Sequence, residues 1–419
     1  MQNVSAYWRT VNASRMCPQT SMTIDIARQD GKHPVVDRDD ILEFRQEING
    51  NSLSGVVTSN KVTFKVKNKG NALDYDSVNN NDVYANAKVN IMYGFKQESG
   101  SGFDEITGGV FYVSAVEIAS RNDQLVFTAK DILGFMTEKY NDSFGWKGTA
   151  LGLFLKVKEQ AETNPNVPVS TIEYSVDEAL LDSVYMRTHE TDNYTLAEML
   201  QLIASACSCI CYIDRQGKII IRKIEETPEM YTITNMVQYE PCKLSYNDRV
   251  GNITVTYSNG EESVTTDNTG DRIGGMQTIS NPILYDYSAA QTICFEAYKI
   301  LTIGRRMVSG KCRIDPRLDI FDTIIVEGED NIFAGIVTSL NLSFNGSWSG
   351  TFKIQSTANP IRKDLRIIDL CGMRIAELET YLIYQLCGSD FGNLNTISDD
   401  ELNYLVTSDY SLILYESLL

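Results

Sequence analysis

Short segments in which apolar and polar residues alternate with period two recur along this chain, and they constrain its fold more than any other feature. Val62-Thr63-Phe64-Lys65-Val66-Lys67 alternates in this way, as do Ala87 to Tyr93 and Leu125 to Lys130. Such a pattern puts apolar side chains on one face and polar ones on the other, which is what a half-buried antiparallel strand needs. Near residue 320 comes Asp315-Pro316-Arg317-Leu318-Asp319-Ile320-Phe321-Asp322-Thr323-Ile324-Ile325-Val326. Ile336 to Leu340 and Phe344 to Gly350 follow. This passage reads as strand, strand, turn, strand, with a Gly-rich corner at Gly346 to Gly350.

Clusters of Gly, Asn, Asp and Ser punctuate the early strands at Gly70-Asn71, Asn79 to Asp82, Gly100 to Gly102 and Gly108-Gly109. They predict a β-barrel or sandwich over about 24–135. Thr149 to Glu162 then carries apolar residues at helical spacing behind a Thr149 cap, and Pro165 and Pro168 stop it. Thr195-Leu196-Ala197-Glu198 is a capping box, with Leu196, Met199, Leu200 and Ile203 forming one apolar stripe behind it. Ile210 to Asp214 and Lys218 to Arg222 read as a hairpin with Gly217 at the positive-φ position. Ile253 to Tyr257 returns to the β pattern. Glu261 to Met276 is polar and Gly-rich and is predicted to be an exposed loop. Tyr287 to Arg306 is a helix candidate, with Ile293, Ala297, Ile300 and Leu301 on one face.

The fold class expected from this order is α+β, mainly β. Two tube-like antiparallel β-barrel domains (1–139 and 241–360) flank a small α+β insert (140–240), and a helical tail (361–419) follows. Leu365 to Leu386 has helical patterning. No Lys or Arg follows Arg374, although Leu402, Tyr404, Leu405, Tyr410, Leu412, Ile413, Leu414 and Tyr415 make the tail apolar. Such a tail needs a surface to cover it, either its own domain or a neighbouring subunit or fibre.

At 419 residues with 43% hydrophobic content the chain can bury several cores. Its net charge of −18 argues against a sequence-reading nucleic-acid binder, which needs a basic footprint. Nine irregularly spaced cysteines do not suit a disulfide scaffold and are read as reduced thiols of a chain made in a cytoplasm. No apolar run reaches the length of a membrane-spanning helix. Met1 to Arg15 lacks the charged-then-apolar pattern of a secretory peptide.

The chain resembles the tail-hub (baseplate-hub) family of long-tailed bacteriophages, including the N-terminal hub module of tail-associated lysins and prophage tail endopeptidases. The phrases that carry the resemblance are Ser59 to Asn68, Val89 to Gly94, Gly108 to Val113 and Leu125 to Leu133. Ile210 to Ile221, Ile253 to Tyr257 and the passage from Asp315 to Gly350 complete them. The resemblance implies a structural protein: a homotrimeric ring at the virion tail tip, made in the host bacterial cytoplasm. Two β-domains per chain would adapt a six-fold tail tube to a three-fold tip and line the DNA channel. Implied neighbours are the tail tube or a distal tail protein, and a fibre or spike held by the C-terminal tail. DNA would pass without specific binding, and an acidic bore would favour this. About sixty residues follow the hub region, too few for the relatives' lytic domain. Trp8, Trp348, Tyr404, Tyr410 and Tyr415 are the candidate interface residues, because aromatics are enriched at such contacts. A distal-tail adaptor or receptor-binding baseplate component is the alternative reading, and a carbohydrate-active enzyme using two carboxylates is a third.

Catalytic, cofactor and metal motifs are not evident. His33 and His189 are the only histidines and sit in polar stretches. Gly346-Ser347-Trp348-Ser349-Gly350 has Trp where a nucleophile elbow needs Ser. Gly304 to Cys312 has five residues between its glycines where a P-loop has four, and Cys where Ser or Thr should bind magnesium. Cys207, Cys209 and Cys211 lack the second pair a zinc site needs and read as small buried thiols. Asp74, Asp76, Asn79, Asn81 and Asp82 fail the spacing of a calcium loop.

Overall fold

The structure is a computed structural model. It describes residue 8 and, between 19 and 362, all residues except 51–59, 70–72, 74–82, 99–101, 120–122, 142–144, 190–192, 225–230, 248–249, 267–273, 304–305, 329–330 and 357–360. The chain divides into two units, Met1–Ile361 and Arg362–Leu419. The expected helix at 365–386, the terminal aromatics and the acidic loop at 74–82 lie outside the described residues.

The first unit is mainly β. Its first seven strands are β1 (Thr20–Ala27), β2 (Val35–Asp37), β3 (Ile41–Asn49), β4 (Lys61–Lys67), β5 (Lys88–Lys96), β6 (Phe103–Ile118) and β7 (Gln124–Lys130). The period-two segments form these strands, with Val62, Phe64 and Val66 of β4 fully buried between less buried polar residues. The insert runs β8 (Lys147–Thr149), α1 (Ala150–Thr163), β9 (Tyr174–Val176), α2 (Glu178–Ser183) and β10 (Tyr185–Arg187). It continues with α3 (Leu196–Ala206), β11 (Ile210–Ile213) and β12 (Ile219–Arg222). Thr149 caps α1 by accepting from the Gly152 amide. The capping box on α3 is complete: the Thr195 hydroxyl accepts from the Glu198 amide and the Glu198 carboxylate accepts from the Thr195 amide. Gly217 has φ of +87° in the β11–β12 turn, a conformation that glycine adopts without a Cβ penalty.

The remaining elements are β13 (Tyr231–Ile233), β14 (Lys243–Tyr246), β15 (Val250–Tyr257), β16 (Glu262–Thr265), β17 (Gly275–Ser280) and α4 (Tyr287–Ile303). They end with β18 (Arg306–Cys312), β19 (Thr323–Glu327), β20 (Asn331–Phe344) and β21 (Trp348–Ser356). Glu262–Thr265 and Gly275–Ser280 are strands flanking β15, so the segment expected to be a loop is partly a small sheet. The P-loop-like stretch is likewise a strand, β18.

The expected pair of separate barrels is corrected by the pairing. A single sheet runs β14-β18-β21-β20-β3-β4-β7-β6-β5-β1-β2, with β19 and β13 attached beside β20, and no pair closes it among the described residues. Its middle joint is β20 against β3, from Ser339↔Asn49 to Phe344↔Phe44. β20 is 14 residues long; β19 pairs with its Ile332–Ile336 stretch, and residues 339–344 continue past it to meet β3. The first and last β-regions thereby share one sheet and one core.

Two hydrophobic clusters fill the unit. The first lies under the large sheet and joins Phe44, Phe64, Tyr93 and Phe127 to Leu342, Phe344, Trp348 and Phe352. The second joins α1 and α3 of the insert to the β11–β12 hairpin, and also to Ile253, Val255, Ile293 and Ala297. β15 and α4 therefore pack with the insert although both follow it in the chain.

Candidate functional site

The described residues form a buried polar joint and a polar sheet face, and hold a few cysteines and histidines of the kinds that carry chemistry elsewhere. The joint is the segment 315–322 before β19. Asp315 is fully buried and accepts hydrogen bonds from the Arg317 amide (3.0 Å), Nε (2.8 Å) and Nη2 (2.6 Å), and from Trp8 Nε1 (3.4 Å). Arg317 is 4% exposed, so a charged pair is held away from water with its geometry fixed by two side-chain bonds. Arg215, in the β11–β12 turn, reaches the same segment. Its Nη2 donates to the Leu318 carbonyl (2.7 Å), its Nη1 to the Thr107 carbonyl (3.2 Å) and its Nε to Asp319 Oδ2 (3.3 Å). One guanidinium thus ties the insert to β6 and to the approach to β19. Asp322 accepts from the Asp319 amide (2.9 Å). Burial, and then the nearby Asp319 charge, push its carboxyl above the ordinary aspartate value.

The outer face of the large sheet follows from register. Lys311, Thr351, Asn341, Glu47, Lys61 and Lys130 are successive partners and form one row across β18, β21, β20, β3, β4 and β7. Lys243, Ser309, Lys353, Ser339 and Asn49 form a second row. Ser343, Arg45, Thr63 and Thr128 form a third, and Lys65 and Lys67 continue β4 on the same face. Arg45 pairs with Glu43 (2.6 Å) and Lys67 with Asp40 (3.8 Å). Among the described residues no carboxylate lies within ion-pair distance of Lys61, Lys65, Lys130, Lys243, Lys311 or Lys353. A dish of about 340 Å³ is lined by Glu43, Arg45, Glu47, Lys61, Thr63 and Lys65, with Val126 at its side. The sheet path ends at β2 on one side and at β14 on the other; all four β14 residues are exposed.

Trp8 and Trp348, expected at an interface, are each 1% exposed. Trp8 packs on Phe95 with ring centres 4.1 Å apart, and Trp348 sits among Phe44, Tyr93 and Phe344. Both are core positions: at 1% exposure neither ring has surface left for a neighbour. Tyr404, Tyr410 and Tyr415 lie outside the described residues. Arg215, Arg317 and the lysine rows were not singled out from sequence; the charged residues at alternate strand positions were visible, but their neighbours were not.

Cys207, Cys209 and Cys211 are buried between α3 and the hairpin. Burial pushes the Cys209 thiol up to about 12 and raises Cys207 and Cys211 as well, so none is a thiolate nucleophile at neutral pH. His189 Nε2 lies 2.7 Å from the Tyr285 hydroxyl, and His33 Nδ1 lies 3.7 Å from Asp25. Among the described residues no three His, Cys, Asp or Glu side chains gather as a metal site, and no helix is long and apolar enough to cross a membrane.

No protein-family model matches the chain, and no curated protein matches it. Solved structures do. A tail protein from Neisseria meningitidis MC58 is 9% identical, with 82% of this chain and 97% of that chain covered and a TM-score of 0.55. The 43 kDa tail protein of prophage MuSo2 from Shewanella oneidensis is 11% identical, with 80% and 98% covered and a TM-score of 0.54. At these identities the likeness establishes the fold: this chain has the architecture of those two tail proteins over most of its described length.

Proposed function

We propose that this chain is a structural component of a bacteriophage-type tail and forms the hub at the tail tip. The observation that carries the reading is the fold, shared with two tail proteins over 80% or more of the chain. The domain plan proposed for it is 1–139 and 241–360 as the two β-regions, 140–240 as the insert, on whose core β15 and α4 of the second region pack, and 361–419 as an attachment tail. Three chains would present six β-regions to a six-fold tail tube or distal tail protein, around a channel through which DNA passes. The two ends of the sheet support ring assembly, because an exposed strand edge can pair with a neighbour and a head-to-tail contact that closes leaves no edge open. Tyr404, Tyr410 and Tyr415 are proposed as contacts with a fibre or spike. Light scattering on the purified full chain tests the stoichiometry. A mass of about 141 kDa, three times the 47.0 kDa chain, is expected; a hexamer would overturn the trimeric form.

A further inference from the structure

We propose that the polar outer face of the β14–β7 stretch of the sheet is a docking surface for the phosphate backbone of double-stranded nucleic acid, independent of base sequence. The face carries eight cationic side chains (seven lysines and Arg45) against Glu43, Glu47 and the Asp40 that pairs with Lys67, with Glu117 of β6 at its border beside Val126, in a chain whose net charge is −18. Positive charge is therefore concentrated on one face, with an excess of negative charge elsewhere in the chain. Six of the lysines have no carboxylate at ion-pair distance among the described residues, so their charge is available to a partner. Between them stand Ser309, Ser339, Asn341, Ser343, Thr351 and Thr63, hydroxyl and amide groups of the kind that donate to phosphate oxygens.

The chemistry of the face selects among polyanions. Protein interfaces are anchored by buried aromatic or aliphatic side chains. Val126, half-buried, is the apolar residue lining the dish. Single-stranded nucleic acid is held by bases stacked on aromatic rings. The three rows contain none, and Tyr239, exposed beside Lys311 where the first row ends, is a single ring rather than a run of them. What remains is point charge spread over a broad surface. Strands lie about 4.8 Å apart, so Lys311 and Lys61, four strands apart, are separated by roughly 19 Å. That exceeds the major groove of about 12 Å, so one row can reach phosphates on both sides of it. Lysines give contact without register, and binding of this kind weakens steeply with salt and permits sliding.

The proposal rests on the tail-component reading only for the natural source of the duplex. That reading is tested by particle stoichiometry, and this one by binding to the isolated full chain, so either can fail alone. The experiment is fluorescence anisotropy with a labelled 30-base-pair duplex of arbitrary sequence, titrated from about 25 to 300 mM salt. The expected result is binding at low salt whose logarithm falls linearly with log salt, with a slope of about −0.9 per phosphate contacted. Lys61→Glu/Lys130→Glu/Lys353→Glu should weaken binding at least tenfold. Lys139→Glu/Lys147→Glu/Lys299→Glu, three exposed lysines outside the large sheet, should not. Circular dichroism verifies folding, and Lys→Gln at the same three face positions replaces the reversal if it does not fold. Absence of binding at 25 mM salt, equal loss in both triple variants, or displacement of the duplex by an equal charge of polyglutamate would overturn the proposal.

Discussion

Replacing Arg317 with methionine removes the cation from a pair in which Asp315 is fully buried and Arg317 is 4% exposed. Two side-chain hydrogen bonds, 2.8 and 2.6 Å, disappear with it. Asp315 keeps the Arg317 amide and Trp8 Nε1 as donors, but no opposite charge. Breaking a buried pair on one side costs about 3–5 kcal/mol, because the remaining ion has neither water nor a counter-charge. Asp315→Asn/Arg317→Met removes the stranded charge and should recover most of that loss, leaving a deficit of about 1–2 kcal/mol from the altered hydrogen bonds. Urea denaturation followed by tryptophan fluorescence is the assay, since Trp8 touches Asp315 directly. The reasoning is refuted if Arg317→Met costs less than about 1 kcal/mol, or if the double variant is no more stable than the single one.

Other consequences follow from single contacts. A Cβ on Gly350 would lie 2.2 Å from the Asn341 carbonyl oxygen, so Gly350→Ala should force β20 and β21 apart and destabilise by about 1–3 kcal/mol, seen as a lower melting temperature. Thr195→Ala removes the α3 cap and should cost about 1 kcal/mol, with Ser at that position restoring most of it. Asp322 has a raised native carboxyl, so the folded chain binds that proton more readily than the unfolded one. Stability from this group is therefore lost as pH rises from the ordinary value of 3.8 through the raised native value. Asp322→Asn should flatten that part of the stability–pH curve; an unchanged slope would count against the burial argument.

Local structure was legible where one residue's requirement shows in the sequence. The Thr195–Glu198 capping box, the Thr149 cap and the Gly217 turn were all readable, because each depends on residues within a turn of one another. The alternation in Val62 to Lys67 likewise marked a strand with one buried face. The β3–β20 joint was not legible, since Asn49 and Ser339 are 290 positions apart and period-two patterning identifies a strand without naming its partner. For the same reason the basic face was hidden. Each strand shows one or a few cations at alternate positions, and only the register lines Lys311, Lys61 and Lys130 into a row. A net charge of −18 averages that face away. Trp8 and Trp348 show the limit of composition: large aromatics suit cores and interfaces alike, and their ring neighbours decide.

The central claim is that this chain is a tail component with hub geometry. Electron microscopy of assembled tails, with the chain carrying a small affinity label at its N-terminus, tests it most directly. The account predicts label at one end of the tail only, in averages with three-fold symmetry. Label along the tail shaft, a six-fold ring of label, or tails with no label at all would contradict it.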